Sequence, residues 1–326
     1  MNQNKNRNQS GNTLGDFFSS QMKQAFDLPT EPEKTAKSEE SELAEAVEKQ
    51  YDLDDTTPNI GWLFYKDYYR FKDAVGRIRI STKNVDGKQK VEVQGLKDKN
   101  EGLFKRNLAV YSTPSVSNAQ NFTLTTTYPG LLAGSGLAHA AGGQDEEFKL
   151  GFSFDHTSGL PYVPASSVKG VLRSLLKKLL DKAISDVDFQ QFMAFVLENE
   201  KHTFTKAQLT NFINHSFGSQ KQAGQDIFLD AFPISRKNKS NETVSQPFVG
   251  SDSITPHNKN PLKNPTPIAF FKILPRVDFH FSFLLKPYLE NGKEVLGIEE
   301  KKTLFKNLLL NHGIGAKTNV GYGQFQ

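Results

Sequence analysis

Along the chain, apolar and polar positions alternate with a period of two over Arg77–Ser81 and Lys90–Gln94, on either side of Asp86-Gly87. That pattern predicts a β-hairpin. Phe122–Tyr128 is a β-branched run cut by Pro129-Gly130, a strand that ends in a turn. The period lengthens over Ser166–Asp181, Asp188–Leu197 and Lys206–Phe217, which read as helices. Strands are predicted over Asp226–Phe232, Ile268–Leu274 and Val277–Leu285, and an amphipathic helix over Glu299–Leu310, stopped by Gly313. This order suits an α+β fold with helices on one face of a mainly antiparallel sheet. Two βαβ-like halves would make it ferredoxin-like, the topology of the RNA-recognition motif, with helical and loop insertions. No repeat with a period of 20–50 residues is visible.

The ordered body is expected over residues 58–326 as a single domain, with a helical insertion at about 185–220. Residues 1–57 are rich in Asn, Gln, Lys, Glu and Ser and read as a largely disordered acidic tail. Within it Leu14, Phe17, Phe18, Met22 and Phe26 fall near helical spacing, as a docking helix or one that packs back on its own body. Ser41–Tyr51 is a charged helix candidate. Five aromatics stand in Gly61–Tyr69. They could stack bases, but core packing is the commoner role and is the expectation.

Charge sharpens the division. Residues 1–57 carry 6 Lys/Arg against 12 Asp/Glu, leaving 34 against 24 for residues 58–326. A basic body suits a polyanion partner. Cys is absent, which excludes disulfides, Cys-based metal sites and a thiol nucleophile, and fits a reducing cytoplasm. No run of 18 apolar residues and no apolar signal core near Met1 are present, so neither a membrane span nor secretion is expected and the location expected is cytoplasmic.

Four segments carry candidate chemistry. Gly159–Arg173 contains two prolines, Ser166 and Ser167 as possible N-caps, then Lys169 and Gly170 in the first helical turns. A cation there opposes the helix dipole by about 0.3–1 kcal/mol, and glycine costs about 1 kcal/mol relative to Ala. Both make sense if an anion sits at the helix start, with Lys169 and Arg173 sharing one face at i and i+4. The alternative is an ordinary capped helix with a solvated lysine. Gly313–Phe325 holds four glycines with Lys317, Thr318 and Asn319, a loop able to lay N–H groups along a phosphate chain or simply to return the chain to the sheet.

No GxxxxGK[ST] spacing fits there, so nucleoside triphosphate hydrolysis is not expected. Gly130–Gly143 is a glycine-rich loop without dinucleotide spacing, and Ser251–Pro265 is a basic, proline-stiffened loop presenting His257, Lys259 and Lys263. Seven scattered His residues form no HxH or HExxH pair, so no metal site and no cofactor are expected. His139, Asp145 or Glu146 could act as acid or base in RNA cleavage; a solvated loop histidine is the expected role.

Taken in order, these segments resemble the CRISPR-associated RAMP superfamily. The resemblance rests on Gly159–Arg173, which follows the pattern G-x-P-Y-[VI]-P-x-S-S-x-K-G-x-x-R, and on the glycine-rich Gly313–Phe325. Ala165 stands where glycine is usual. Tyr128–Gly136, Phe148–Asp155, Phe228–Pro233, Ile254–His257 and Asn264–Ile268 are similar to the Cas7-like subunit at the guide's 3′ end in type III-B (Cmr) complexes. The resemblance implies a non-catalytic subunit gripping crRNA by its sugar-phosphate backbone and assisting target-RNA capture, beside a neighbouring backbone subunit and other Cmr subunits. The RNA contacts expected are Gly134, Ser135, Gly136, His139, Ser166, Ser167, Lys169, Gly170, Arg173, His257, Lys259, Gly315, Lys317, Thr318, Asn319, Gly321, Tyr322 and Gly323. The rival expectation is a metal-independent endoribonuclease acting on CRISPR repeat RNA.

Overall fold

A computed structural model describes residues 60–67, 80–85, 88–93, 100–103, 116–134, 148, 152–181, 183–201, 203–244, 247–255 and 267–326. The early elements are β1 (Ile80–Val85), β2 (Lys88–Val93), β3 (Gln120–Thr125), α1 (Ala165–Lys178), α2 (Asp186–Leu197) and α3 (Lys206–Phe217). After them come β4 (Ile227–Phe228), β5 (Phe232–Lys237), β6 (Thr243–Val244), β7 (Val249–Ile254) and β8 (Ile268–Ile273). The last are β9 (Val277–Leu284), β10 (Tyr288–Glu290), β11 (Lys293–Leu296) and α4 (Ile298–His312).

The main sheet runs β3-β9-β5-β6, all neighbours antiparallel, with β4 also paired to β9. Beyond β3 the chain's last residues add a further edge, through an antiparallel bridge between Thr126 and Phe325 and reciprocal hydrogen bonds between Thr125 and Gln326. With α1 between β3 and β5, and α4 between β9 and the terminus, this is the ferredoxin-like βαββαβ path. The α+β class and topology expected from the sequence are the ones observed.

Why this sheet packs as it does is plain in β9. Phe279, Phe281 and Phe283 alternate along it and are fully buried. In register, Phe122 stands opposite Phe281 and Leu124 opposite Phe279. Against this face α1 sets Val168, Leu172 and Leu176, one residue per turn, and α4 sets Leu304, Phe305, Leu308 and Leu309. The Phe305 ring lies 5.7 Å from Phe283 and 5.8 Å from Phe228. Each buried phenylalanine contributes about 1.5–3 kcal/mol. Phe64 is also fully buried, and the Tyr65 hydroxyl donates to the Phe152 carbonyl, so this part of the early aromatic run is core.

Three local readings differ from the structure. Asp226–Phe232 is two short strands, because Leu229-Asp230-Ala231 turns between β4 and β5. Ser251–Ile254 is not loop but the end of β7, paired with β8. A hairpin of β10 and β11 was not anticipated, although Asn291 (φ 50°) and Gly292 (φ 77°) form its turn, the dipeptide signal for such a turn. The hairpin anticipated at Asp86-Gly87 is present, with Val85 opposite Lys88.

A buried ion pair joins α4 to the region before β4. Lys301 and Asp226 side chains are both 0% exposed, with Nζ 2.9 Å from Oδ2. Ser216 Oγ at the end of α3 takes a third Lys301 hydrogen bond at 3.0 Å, and Asp226 Oδ1 accepts from the Lys286 amide. Burial lowers the Lys301 pKa and the Asp226 charge opposes that fall. Removing one partner strands the other without water. Lys301→Met should therefore lose about 3–5 kcal/mol of stability by denaturant unfolding, while a loss below 1 kcal/mol would show that the pair is not buried.

Candidate nucleic-acid interface

The start of α1 and the glycine-rich terminus meet in a single cleft. Its walls are Val163, Pro164, Ser167 and Val171 on one side and His312, Gly313, Ile314, Gly315, Ala316 and Thr318 on the other, with Leu132, Ala133 and Gly134 between; its volume is about 410 Å³. The closing loop can line it because its backbone runs unusually close to the β3 turn. Gly323 (φ 71°) could not carry a Cβ, which would lie 1.9 Å from the Ile314 carbonyl oxygen, and one on Gly315 (φ 97°) would lie 2.3 Å from that of Leu132. Lys317 takes the left-handed conformation at φ 61°.

That packing corrects the expected phosphate cradle. The amides of Ala316, Gly321, Tyr322 and Gly323 donate to Leu132, Thr318, Lys317 and Gly130 carbonyls, so they are spent within the chain. Gly323 and Tyr322 are buried. Tyr322 instead donates its hydroxyl to Asp252 Oδ2 at 2.7 Å, and Lys272 Nζ reaches the same oxygen at 2.6 Å. The group ties the β7–β8 hairpin to the closing loop. Gly315 and Thr318 remain on the cleft wall, Asn319 is exposed and Gly321 and Lys317 are half-buried.

The α1 start is also corrected. Neither Ser166 nor Ser167 caps it: Pro164 is the N-cap and makes no side-chain cap. The Ala165 amide donates to Asp230 Oδ1 at 2.6 Å. A carboxylate from the β4–β5 turn already occupies the positive end of the helix dipole, where a phosphate was expected. Ser166 and Ser167 lie exposed in the first turn.

Lys169 and Arg173 do share a face, but it is not the face lining the cleft. Lys169 Nζ sits 5.7 Å above the Phe228 ring, and Arg173 Nη2 donates to the Gly218 carbonyl at 3.2 Å. Arg173 nevertheless borders a second, shallower hollow with Gly170, Ser174, Lys177 and Lys178. Among the described residues, nothing beyond the helix's own backbone and the two chain neighbours lies within 4 Å of where a Gly170 Cβ would be. Lys178 bridges the two hollows electrostatically: partial burial, and then the Lys178 charge, hold the cleft residue His312 below the usual imidazole range. Lys177, Lys178, His312 and Asp230 were not singled out in the sequence. The two lysines follow Arg173 at i+4 and i+5, a visible extension of the basic helix face, whereas Asp230 stood only within the resemblance segment Phe228–Pro233, with nothing local to tie it to α1.

Ser135, Gly136, His139, Asp145, Glu146, His257, Lys259 and Lys263 lie outside the described residues. Among the described residues no group of three or more His, Asp or Glu could hold a metal ion, and no helix is long and apolar enough to cross a membrane.

Comparison with known proteins places this arrangement in a class. The RAMP superfamily pattern matches residues 123–326, from β3 through the cleft to the closing loop, and the chain belongs to the RAMP superfamily. Among relatives, it is 30% identical over 183 residues to the "CRISPR system CMR subunit Cmr6" of Saccharolobus solfataricus, covering 55% of this chain and 49% of that protein. It is 25% identical over 224 residues to the "CRISPR system Cmr subunit Cmr6" of Pyrococcus furiosus, covering 56% of this chain and 62% of the relative. The matches thus span less than two thirds of either relative. Among solved structures, a chain of "the Type III-B Cmr-beta bound to cognate target RNA" is 22% identical with a TM-score of 0.44, covering 71% of this chain and 70% of that one. The crystal structure of Cmr6 from Pyrococcus furiosus is 20% identical with a TM-score of 0.39, covering 65% and 99%.

The Asp252 group generates a pH prediction. Burial raises the Asp252 pKa, but hydrogen bonds from Lys272, Tyr322 and the Ser253 amide, with the Lys272 charge, outweigh it and leave the carboxyl below its usual value. A depressed folded-state pKa stabilises above the unfolded value of about 3.9 and is lost as pH falls through the folded one. The thermal-stability advantage of the native protein over Asp252→Asn should be full at pH 7 and vanish below that carboxylate range. A difference that persists undiminished at pH 2 would contradict the assignment.

Proposed function

We propose that this chain is a non-catalytic structural subunit of a type III-B CRISPR effector complex, holding crRNA by its sugar-phosphate backbone near the 3′ end and assisting target-RNA capture. Neighbouring Cmr subunits, including the Cas7-like backbone subunit, are its protein partners. Membership of the RAMP superfamily and the two Cmr6 relatives support the assembly. The observation that carries the RNA reading is the convergence of α1 and the closing glycines on one cleft, with a basic hollow of Arg173, Lys177 and Lys178 on the same helix.

The chemistry of that strip suits a backbone and not a sequence. The cleft offers Ser167 and Thr318 side chains and main chain, and the hollow offers point charges, neither of which distinguishes one base from another. A guide whose sequence changes from spacer to spacer requires such indifference. Gly170 leaves the helix surface open where a ribose or phosphate would pass. The anion-binding role moves from the capped helix end to the exposed flank of α1.

Lys177→Ala combined with Lys178→Ala removes two exposed cations. For single-stranded RNA each lost phosphate contact should flatten the slope of log affinity against log salt by about 0.7 units, so roughly 1–2 units are expected, equally for unrelated sequences. Filter binding or fluorescence anisotropy at several salt concentrations measures it. An unchanged slope, or a loss confined to one sequence, overturns the reading. The purified chain should also leave repeat RNA intact with Mg²⁺ and with EDTA; specific cleavage in EDTA would make it a nuclease instead.

A further inference from the structure

Helix α2 buries one apolar face and exposes two large apolar side chains on another. Phe189, Met193, Val196 and Leu197 are buried in the core, as a surface helix requires. Its outer face is different. Val187 is 66% exposed and Phe195 59% exposed, and with Gln191 and Ala194 they stand at i, i+4, i+7 and i+8. That spacing puts Val187 and Phe195 two turns apart on one side of the helix, with the polar Gln191 between them and Ala194 half-buried beside Phe195. An exposed phenylalanine gains little for the folded monomer, while two exposed apolar side chains set among polar ones are the form of a protein contact.

Charge decides what kind of partner fits. From Asp186 to Glu200 the chain carries Asp186, Asp188, Glu198 and Glu200 and no Lys or Arg. One of these, Asp186, is met by Lys206 at 3.3 Å. The stretch is therefore net acidic, with Lys201 and Lys206 at its margin, on a body with 34 Lys/Arg against 24 Asp/Glu. RNA is repelled by it, and a second copy of the same face would bring like charges together. A surface that pairs with it is apolar at its centre and Lys/Arg-rich at its rim.

We infer that the outer face of α2, anchored by Val187 and Phe195 and bordered by Asp188, Glu198 and Glu200, docks a neighbouring protein subunit of the complex through a basic-rimmed apolar groove. This rests on the reading of the chain as a complex subunit and adds where one partner sits. It also separates two surfaces by sign: RNA along the basic flank of α1, protein along the acidic α2. Both anchors are solvent-facing, so replacing them leaves the core intact.

The test co-expresses the tagged full-length chain with the other Cmr subunits of its own host and measures which identified subunits co-purify. Val187→Ser combined with Phe195→Ser should lower recovery of one Cmr subunit at least tenfold, with Phe195→Leu recovering it. The double variant alone should melt no lower than the native chain and bind RNA within twofold of it. Native-level recovery by the double variant overturns the inference, as does a loss of self-association in place of a loss of the subunit, or a fall in RNA affinity. If the native chain itself recovers no Cmr subunit, the subunit reading fails and this surface assignment fails with it. If recovery depends on α2 while the Lys177/Lys178 variant binds RNA normally, the docking surface stands and only the RNA path is lost.

Discussion

The closing loop must pass between the end of α4 and the β3 turn through a gap that admits main chain only. Gly323 lies against the Ile314 carbonyl, and Gly315 against that of Leu132, both at left-handed φ. An added methyl at either would sit far inside the carbon–oxygen contact distance. Because the gap is met, Phe325 reaches Thr126 and completes the ferredoxin-like sheet. The same passage places Gly313–Ala316 and Thr318 as one wall of the cleft. Sheet closure and the candidate interface are consequences of one steric constraint.

Around that constraint, the short stretch from Asp226 to Phe232 organises three neighbours. Asp226 receives Lys301 from α4, Phe228 packs on Phe305 and lies beneath Lys169, and Asp230 caps the first turn of α1. The helix that presents the basic flank is thus held at its start by a carboxylate and along its length by Val168, Leu172 and Leu176 in the core. A rigid α1 fixes the spacing between Lys178 and the cleft residue His312. Preorganised cations bind a polyanion without first ordering their own scaffold.

Much of this was legible in the residues. The period-two run of β9, the period of α1 and α4, and the glycine spacing of the terminus each reflect local physics, so the fold class followed from them and both segments that line the cleft stood out. What failed depended on distant contacts. Nothing near Ala165 shows that Asp230, 65 positions along, takes its amide. Nothing near Lys317 shows that carbonyls of the β3 turn accept the loop's amides, or that Tyr322 faces inward to Asp252. Lys169 and Arg173 looked like the phosphate ligands because they share a helix face; which neighbour that face meets is decided by α3 and β4. The Asn291-Gly292 hairpin, by contrast, was written locally.

The central claim is that one RNA strand touches both walls of the cleft. Photo-cross-linking with crRNA carrying 4-thiouridine at single positions, read by mass spectrometry, measures this directly in the assembled complex. The same or adjacent nucleotides should cross-link to peptides from residues 166–178 and from residues 312–318. Cross-links confined to one of these peptides, or to nucleotides far apart on the guide, would contradict the account.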